Sequence, residues 1–464
     1  MATHGDVDPS LRPFAYRNRK IQNWAKTFQS APELYFEPRN EEEVYKILES
    51  ARRTGKTVRV VGSGHSPSDL ALTNDYMVNL DKMARVLNVD KDRHQITVEA
   101  GMRLHELHQV LKDNGMALSN LGSISEQSVA GLISTATHGT GIKFSSLSTM
   151  VVSITLLTST MRTITCSDTE YPEYFHAAQC SLGALGVITR ITLQCEPFFR
   201  LEAIQTPSKL DPILDRFDQI VHSAEHVRIW WFPHTQNCVV WKANRTTNPV
   251  DHQTDSWTRD TLVGFHLYQF ALNLSRFAPS TIPYLTRLIY NVVHKPLRRV
   301  VDDSYKIFNF DCLFPQYVNE WAIPYEKAPE ALGRLDTFIQ ESNLRVHFPV
   351  EIRFVDADEN VWLSPSYGRK TCYIGVIMYR PYHNPVPYKK YWAGYEDIMR
   401  SLGGRPHWAK AHSQTPEQLA KVYPKLHDFM RIRKELDPSG MFWNQYLHRH
   451  LGSIDKTYQI SSKL

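Results

Sequence analysis

The chain has 464 residues, 42% hydrophobic and 22% charged, with a formal net charge of +5. That length is too great for one simple core and predicts two or three folded layers, in a globular protein without low-complexity tracts. So small a charge, with no extended Lys/Arg run, excludes a nucleic-acid-tracking surface and leaves only weak attraction for anions. Cysteines stand at 166, 180, 195, 238, 312 and 372. None forms a CxxC pair, so neither a metal site nor a disulfide framework is expected, only buried, reduced thiols of an intracellular protein. Met1 to Asp8 is polar, which predicts no secretory signal.

In chain order, an N-terminal extension over 1–30 precedes a first unit over 31–200. Asn40 caps a helix there, with Glu43 three residues on, Val44, Ile47, Leu48 and Ala51 on one face, and Gly55 closing it. A short apolar strand, Thr57 to Val61, runs into the turn Gly62-Ser63-Gly64-His65. Strands follow at Tyr76 to Leu80 and Gln95 to Glu99, then a helix from Arg103 with Leu104, Leu107 and Leu111 on one side and Gly115 at its end. On that helix His105 and His108 have ligand-like spacing but no third ligand, and read as surface positions. Strands at Val151 to Leu157 and Gly186 to Gln194 complete the unit.

A second unit, 201–405, pairs Arg228–Phe232 with Cys238–Lys242 and His347–Val355 with Thr371–Met378. This predicts an antiparallel sheet flanked by helices, a form suited to a substrate cap. Between the pairs, Leu262 to Val293 is rich in Leu, Tyr, Phe and Ile but broken by Arg276, Pro279, Pro283 and Arg287. No run there reaches the ~18 apolar residues that span a bilayer. A helix lying on a membrane surface and an insertion packed on the cap both fit. In the last segment, 406–464, Thr415-Pro416-Glu417 starts a helix and Asp437-Pro438-Ser439-Gly440 stops one. The fold class expected is α+β.

Two stretches have the composition of a phosphate cradle. In Val60-Val61-Gly62-Ser63-Gly64-His65-Ser66-Pro67, two glycines after a buried strand let backbone N–H groups approach a pyrophosphate. A dinucleotide fingerprint of the Rossmann type would need a third glycine where Pro67 stands, and Asp81 is a poor ribose acid after its turn. The second stretch runs from Asn120-Leu121-Gly122-Ser123-Ile124-Ser125 through Ser128-Val129-Ala130-Gly131 to Thr135-Ala136-Thr137-His138-Gly139-Thr140-Gly141. Its small, hydroxyl-rich residues suit close packing against a flat polar group; by itself it also reads as an ordinary Gly/Ser-rich loop.

Together and in this order, the motifs Gly62 to Asp69, Gly122 to Gly131 and Thr137 to Gly141 resemble the FAD-binding motifs of the vanillyl-alcohol-oxidase-type flavoproteins. Within that family they are similar to the sugar-1,4-lactone oxidases, the fungal arabinonolactone branch more closely than the gulonolactone one, from about residue 20 to the C-terminus. The resemblance implies a two-subdomain FAD-binding domain with an α+β cap over an antiparallel sheet. It implies FAD linked covalently to His65, with Val61, Gly62, Ser63, Gly64, Ser66, Ser125, Ser128, Gly131, Thr135, His138, Gly139 and Ile188 around it. Gly122 and Ser123 are implied both at the cofactor and at the reacting site. Dehydrogenases of the family tend to carry alanine at the position of Gly122, where a methyl blocks dioxygen, so glycine implies an oxidase that releases hydrogen peroxide.

Glu351-Ile352-Arg353 places a carboxylate and a guanidinium on one face of a strand, which alone suggests only a salt bridge. Followed by Trp362-Leu363-Ser364-Pro365 it resembles the active-site strand of alditol and aldonolactone oxidases, and His407-Trp408-Ala409-Lys410 resembles the family's His-Trp-x-Lys motif. The implied reaction moves a hydride from C2 of an aldono-1,4-lactone to the flavin while a base takes the hydroxyl proton. Glu351 is the first choice of base and Lys410 the second, with Arg353 stabilising negative charge and Ser123 forming a substrate wall. Whether D-arabinono-, L-galactono- or L-gulono-lactone is preferred stays open. Rival readings are an oxidase of alditols or other alcohols on the same fold, a lactone dehydrogenase, and a flavin-storage module. The resemblance also implies an intracellular membrane, the mitochondrial outer membrane first and the endoplasmic reticulum second, with 262–293 as the contact.

Overall fold

The computed structural model describes residues 7–252, 258–310 and 314–461, with side chains through 454. The first six residues and Cys312 lie outside the described residues. Two sheets build the N-terminal half. In the first, Val58–Val61 and Leu34–Phe36 run parallel to Tyr76–Asn79 on either side, and Ala15–Tyr16 adds antiparallel at the edge. The helix Glu41–Thr54 buries Val44, Ile47, Leu48 and Ala51. Its start is fixed by the Asn40 side chain accepting from the Glu43 N–H at 2.9 Å, and its end by Gly55 at φ 66°.

The second sheet is antiparallel, in the order Thr163–Ser167, Val151–Leu157, Val187–Gln194, Gln95–Glu99, Val86–Asp90. Both sheets share one apolar core, which also takes Phe429, Met430, Tyr446 and Leu447 from the C-terminal helices Leu426–Leu436 and Gln445–Ser461. The return of the chain is clipped to the first sheet, where the Val58 N–H donates to Met441 O at 2.7 Å and Asn444 Nδ2 to Leu70 O at 2.9 Å.

The third sheet has eight antiparallel strands in the order Arg298–Asp303, Arg200–Lys209, Asn237–Thr246, His226–Phe232, Val350–Val355, Thr371–Tyr379, Gln316–Pro324, Arg405–Pro406. The helices Ala328–Glu341 and Lys389–Ser401 bury Leu332, Leu335, Ile339, Tyr395 and Met399 against it. The loop 137–141 joins this sheet to the N-terminal half: the Gly141 N–H donates to Phe354 O at 2.7 Å, and the Thr140 hydroxyl to Val227 O.

The apolar stretch 262–293 is an insertion packed on the cap that also keeps an exposed face. Tyr268, Leu272, Ile289 and Val293 pack with Phe232 and Phe348, while Phe270, Leu274, Phe277, Tyr284 and Leu288 face outward. Among the described residues no helix is long and apolar enough to cross a membrane. His108 departs from the surface position expected of it: it is buried and stacked on Tyr305 at 5.2 Å, and burial lowers it to about 4. Cysteines 166, 180, 195, 238 and 372 are free and buried.

Candidate active site

The strand Val58–Val61 delivers the glycine turn into a cleft between the two N-terminal sheets. Gly64 has φ 67°, a left-handed turn that a side chain would strain, and a Cβ on Gly62 would stand 2.5 Å from Ser128 Oγ. A Cβ on Gly131 would likewise come within 3.0 Å of that hydroxyl. The cleft walls are therefore backbone, small residues and hydroxyls: Val61, Gly62, Ser63, Gly64, His65 and Ser66 on one side, Ser128, Gly131 and Thr135 on the other, with Ile188 beyond. Asp81 is the single carboxylate among the described lining residues, and Arg103 neutralises it at 2.5 Å. A narrow slot of backbone and hydroxyls without free acid fits the pyrophosphate of a dinucleotide such as FAD. Ser125 and Gly139, expected at the cofactor, line neither this cleft nor the chamber beside it. Ser125 instead receives the His105 N–H on its carbonyl at 3.1 Å. Gly139 is packed on Asn120, whose Oδ1 a Cβ would meet at 2.2 Å, so its small size serves loop packing.

His65 and Ser66 also line a second, larger chamber of about 530 Å³ beneath the cap sheet, so cleft and chamber meet at His65. Ser63 Oγ lies 2.8 Å from His65 Nδ1, and the imidazole stacks on Trp24 at 6.1 Å. Burial lowers its proton affinity, against the weaker pull of Glu126, and favours the neutral, nucleophilic ring.

Gly122, Ser123, His138, Glu351, Arg353 and Lys410 all line this chamber. Arg353 donates through Nη2 to Glu351 Oε2 and to Ser123 Oγ, the latter at 3.1 Å. Glu351 is registered opposite Trp230, whose indole N–H donates to Oε1 at 3.1 Å, and Arg228 stands 3.9 Å away. Burial would raise the Glu351 carboxyl, but Arg353 and Arg228 outweigh it and hold the group below its usual range. Gly122 does not have a positive φ; its constraint is space, since a Cβ would sit 3.1 Å from Thr137 Cγ2.

Lys410 reaches the chamber because the buried Trp408 anchors its turn, donating from Nε1 to Leu363 O at 2.7 Å. Lys410 Nζ lies 3.6 Å from Glu320 Oε2, and His138 Nε2 lies 3.5 Å from Glu320 Oε1. His138 stacks on Tyr373 with ring centres 3.5 Å apart. His407 is buried beside them and lowered to about 3, burial being the main cause.

Glu320, Trp230, Arg228 and Tyr373 were not legible as site residues. Glu320 sits in Gln316–Pro324, a strand buried on both faces that shows no period of two. The one available signal was a lone acid, beside Asn319, between Val318 and the apolar Trp321 to Ile323.

A family model described as FAD binding domain matches residues 32–167, and one described as D-arabinono-1,4-lactone oxidase matches 191–450. L-gulonolactone oxidase of Scyliorhinus torazame is 46% identical over 93% of this chain and 98% of its own length; that of Bos taurus is 44% identical over 94% and 98%. D-arabinono-1,4-lactone oxidase of Candida albicans is 36% identical over 94% and 97%. These identities run higher to the animal enzymes than to the fungal one, opposite to the order in which the motifs placed the two branches. Among solved structures, a solvent-stable cholesterol oxidase superposes with a TM-score of 0.77 at 17% identity, covering 94% of this chain and 97% of its own. Another, from B. sterolicum, gives 0.79 at 14%, covering 97% and 99%.

The fold and the cleft define an FAD-dependent flavoprotein of the vanillyl-alcohol-oxidase type, α+β, with a substrate cap. Its match over 191–450 and its relatives leave no ambiguity at the next level. The chain belongs to the D-arabinono-1,4-lactone oxidase family.

Proposed function

We propose that this chain converts an aldono-1,4-lactone and dioxygen into the ene-diol lactone and hydrogen peroxide, using FAD tethered through His65. One observation carries the reading. Two carboxylate–cation pairs, Glu351 with Arg353 and Glu320 with Lys410, line one chamber that opens onto the cleft at His65. FAD, when bound, supplies the two-electron acceptor that the residues themselves lack. Val61 to Ser66, Ser128, Gly131 and Thr135 would hold its dinucleotide portion, and His65, neutral and braced by Ser63 and Trp24, would take the covalent link.

Oxidation at C2 requires the C2 hydroxyl to lose its proton as the C2 hydride departs. Glu351 accepts that proton. Arg353 holds the oxygen as its negative charge grows, and Ser123, fixed by Arg353, orients the ring. The chamber's carboxylates, Glu351, Glu320 and Asp260, are matched by Arg353, Arg228, Lys410 and Arg298, so the site suits an uncharged polyol on which an anion develops. The 2-keto lactone then tautomerises to the ene-diol. Gly122 leaves the wall open to dioxygen.

The outward apolar face of the insertion supports peripheral membrane binding: Phe277 is 81% and Tyr284 73% exposed, with Arg276 and Arg287 beside them. The family resemblance favours the mitochondrial outer membrane, then the endoplasmic reticulum. Peroxide release with D-arabinono-, L-galactono- and L-gulono-1,4-lactone, alongside xylitol and sorbitol, tests the assignment. Turnover of lactones with anaerobic flavin bleaching is expected; turnover of the open-chain polyols alone would replace it with an alditol oxidase.

A further inference from the structure

Glu320 is buried at the centre of the chamber floor and is absent from the reaction as described above. Both its side chain and its backbone are tied to the turn that carries Lys410. Its Oε2 lies 3.6 Å from Lys410 Nζ, and its carbonyl accepts the His407 N–H at 3.0 Å. The turn is closed in its own right, the Lys410 N–H donating to His407 O at 2.9 Å. The lysine is thus clipped at its root and met at its tip by one residue.

Of the two surrounding rings, His407 brings no charge to the carboxylate. His407 Nδ1 accepts the Ala409 N–H at 3.1 Å, so its single proton is on Nε2 and the ring is neutral. His138 Nδ1 faces the Gly139 carbonyl at 2.9 Å, and a carbonyl only accepts, so Nδ1 carries the proton. Its Nε2 faces Glu320 Oε1 at 3.5 Å, so the carboxylate meets this ring as well as the lysine. Arg353 is engaged by Glu351 and Ser123. Glu351 and Arg353 on the adjoining strand row, Tyr373 on the strand between and Tyr395 on Lys389–Ser401 complete the titratable groups around the carboxylate. Burial alone would raise Glu320; Lys410 and then His138 hold it well below the usual carboxylate range.

We infer that Glu320 is a positioning residue that keeps Lys410 an ammonium within the chamber, so that Lys410 donates a hydrogen bond to a substrate oxygen and Glu351 is the base. This deepens the lactone-oxidase reading and rests on it. A lysine amine in such a confined site readily loses its proton when no anion opposes desolvation. Glu320 supplies the anion, and Gly375, whose Cβ would stand 3.6 Å from Glu320 Oε1, leaves that carboxylate uncovered on the chamber side.

The test is the pH dependence of Lys410 acetylation by acetic anhydride in the FAD-loaded enzyme, read on the Lys410 peptide by mass spectrometry. Glu320→Gln should lower the pH of half-labelling by about one unit or more, and Glu320→Asp should restore most of it. In parallel, peroxide release from L-gulono-1,4-lactone should show kcat/KM of Glu320→Gln down about tenfold at about pH 8.5 but within about threefold of wild type at about pH 6. An unchanged labelling profile in Glu320→Gln, or an equal loss of kcat/KM at both pH values, overturns the inference. Should Glu320→Gln fail to fold, Lys410 labelling in the wild type decides: half-labelling well below the ~10.4 of a free lysine overturns the inference. If wild type turns over no lactone, the lactone reading has failed, while the labelling arm still judges Glu320.

Discussion

Glu320 and Glu351 are registered opposite the same residue, Gly375, from the strands on either side of it. Directly paired residues share a face of a sheet, so both carboxylates project the same way with their backbones about 10 Å apart and no side chain between. Each has its own cation, Lys410 for one and Arg353 for the other. The chamber is built on this symmetric row, and the two ends differ in the kind of cation: a point charge on a flexible stem against a rigid planar fork.

Removing the proposed base should separate binding from chemistry. Glu351→Gln keeps the Trp230 contact, since an amide oxygen still accepts from an indole, and should lower the rate of anaerobic flavin reduction by ~10²- to 10⁴-fold with little change in lactone affinity. Arg353→Lys removes the Nη2 that donates to both Glu351 and Ser123 and should cost ~10²-fold in kcat. Stopped-flow reduction by each lactone reads both; a normal reduction rate in Glu351→Gln would reassign the base.

His65→Ala should yield a protein from which acid precipitation releases the flavin into the supernatant. Wild type should carry the yellow chromophore into the pellet. Flavin that still co-migrates with denatured His65→Ala polypeptide would place the link on another residue.

Gly122→Ala adds a methyl that meets Thr137 Cγ2 at 3.1 Å, tight enough to need a small shift but at a φ that alanine tolerates. Reoxidation of the reduced enzyme by dioxygen should slow by orders of magnitude, while anaerobic reduction by lactone stays nearly normal. Equal oxygen rates in the two proteins would refute the gate.

Acid should unfold this protein early. Burial holds His294, His347 and His407 down to about 3, and His108, His226 and His450 to about 4. Each titrates near ~6.5 once unfolded. Between the two values the unfolded chain binds the extra protons, so stability is full above ~6.5 and falls as pH drops toward the folded values. At ~1.4 kcal/mol per pH unit for each group, these six should lower the melting temperature by ~10 °C or more from pH 7 to pH 5. A melting temperature flat across that interval would show that the buried rings take up protons without unfolding.

The N-terminal half was legible wherever local chemistry decides geometry. Asn40, Glu43 and Gly55 bracket their helix as read, and the turn read at Gly62 to His65 is present, with Gly64 at φ 67°. Val86–Asp90 and Thr163–Ser167 went unread because they are edge strands: the first is largely exposed, and the second alternates over five residues of weak contrast. In the site, the alternation of Glu351 and Arg353 read only as a carboxylate and a guanidinium sharing one face, and the resemblance, together with Trp362 to Pro365, supplied their role. Glu320 was not legible, because its importance comes from long-range register with Gly375 and from a turn some ninety residues downstream, and neither leaves a local mark. At Gly139 the crowding lies against Asn120 behind the loop, and composition does not say on which side of a small residue the crowding falls.

The insertion that presents Phe277 and Tyr284 to the outside also forms the ceiling of the chamber, through Gly264, Tyr268, Ile289 and Val293. A surfactant that grips the outer face would therefore handle the same short helices that roof the chamber. If the proposed membrane contact holds, detergent or lipid at that face would shift the roof of the chamber, and Michaelis constants measured in micelles and in vesicles should differ.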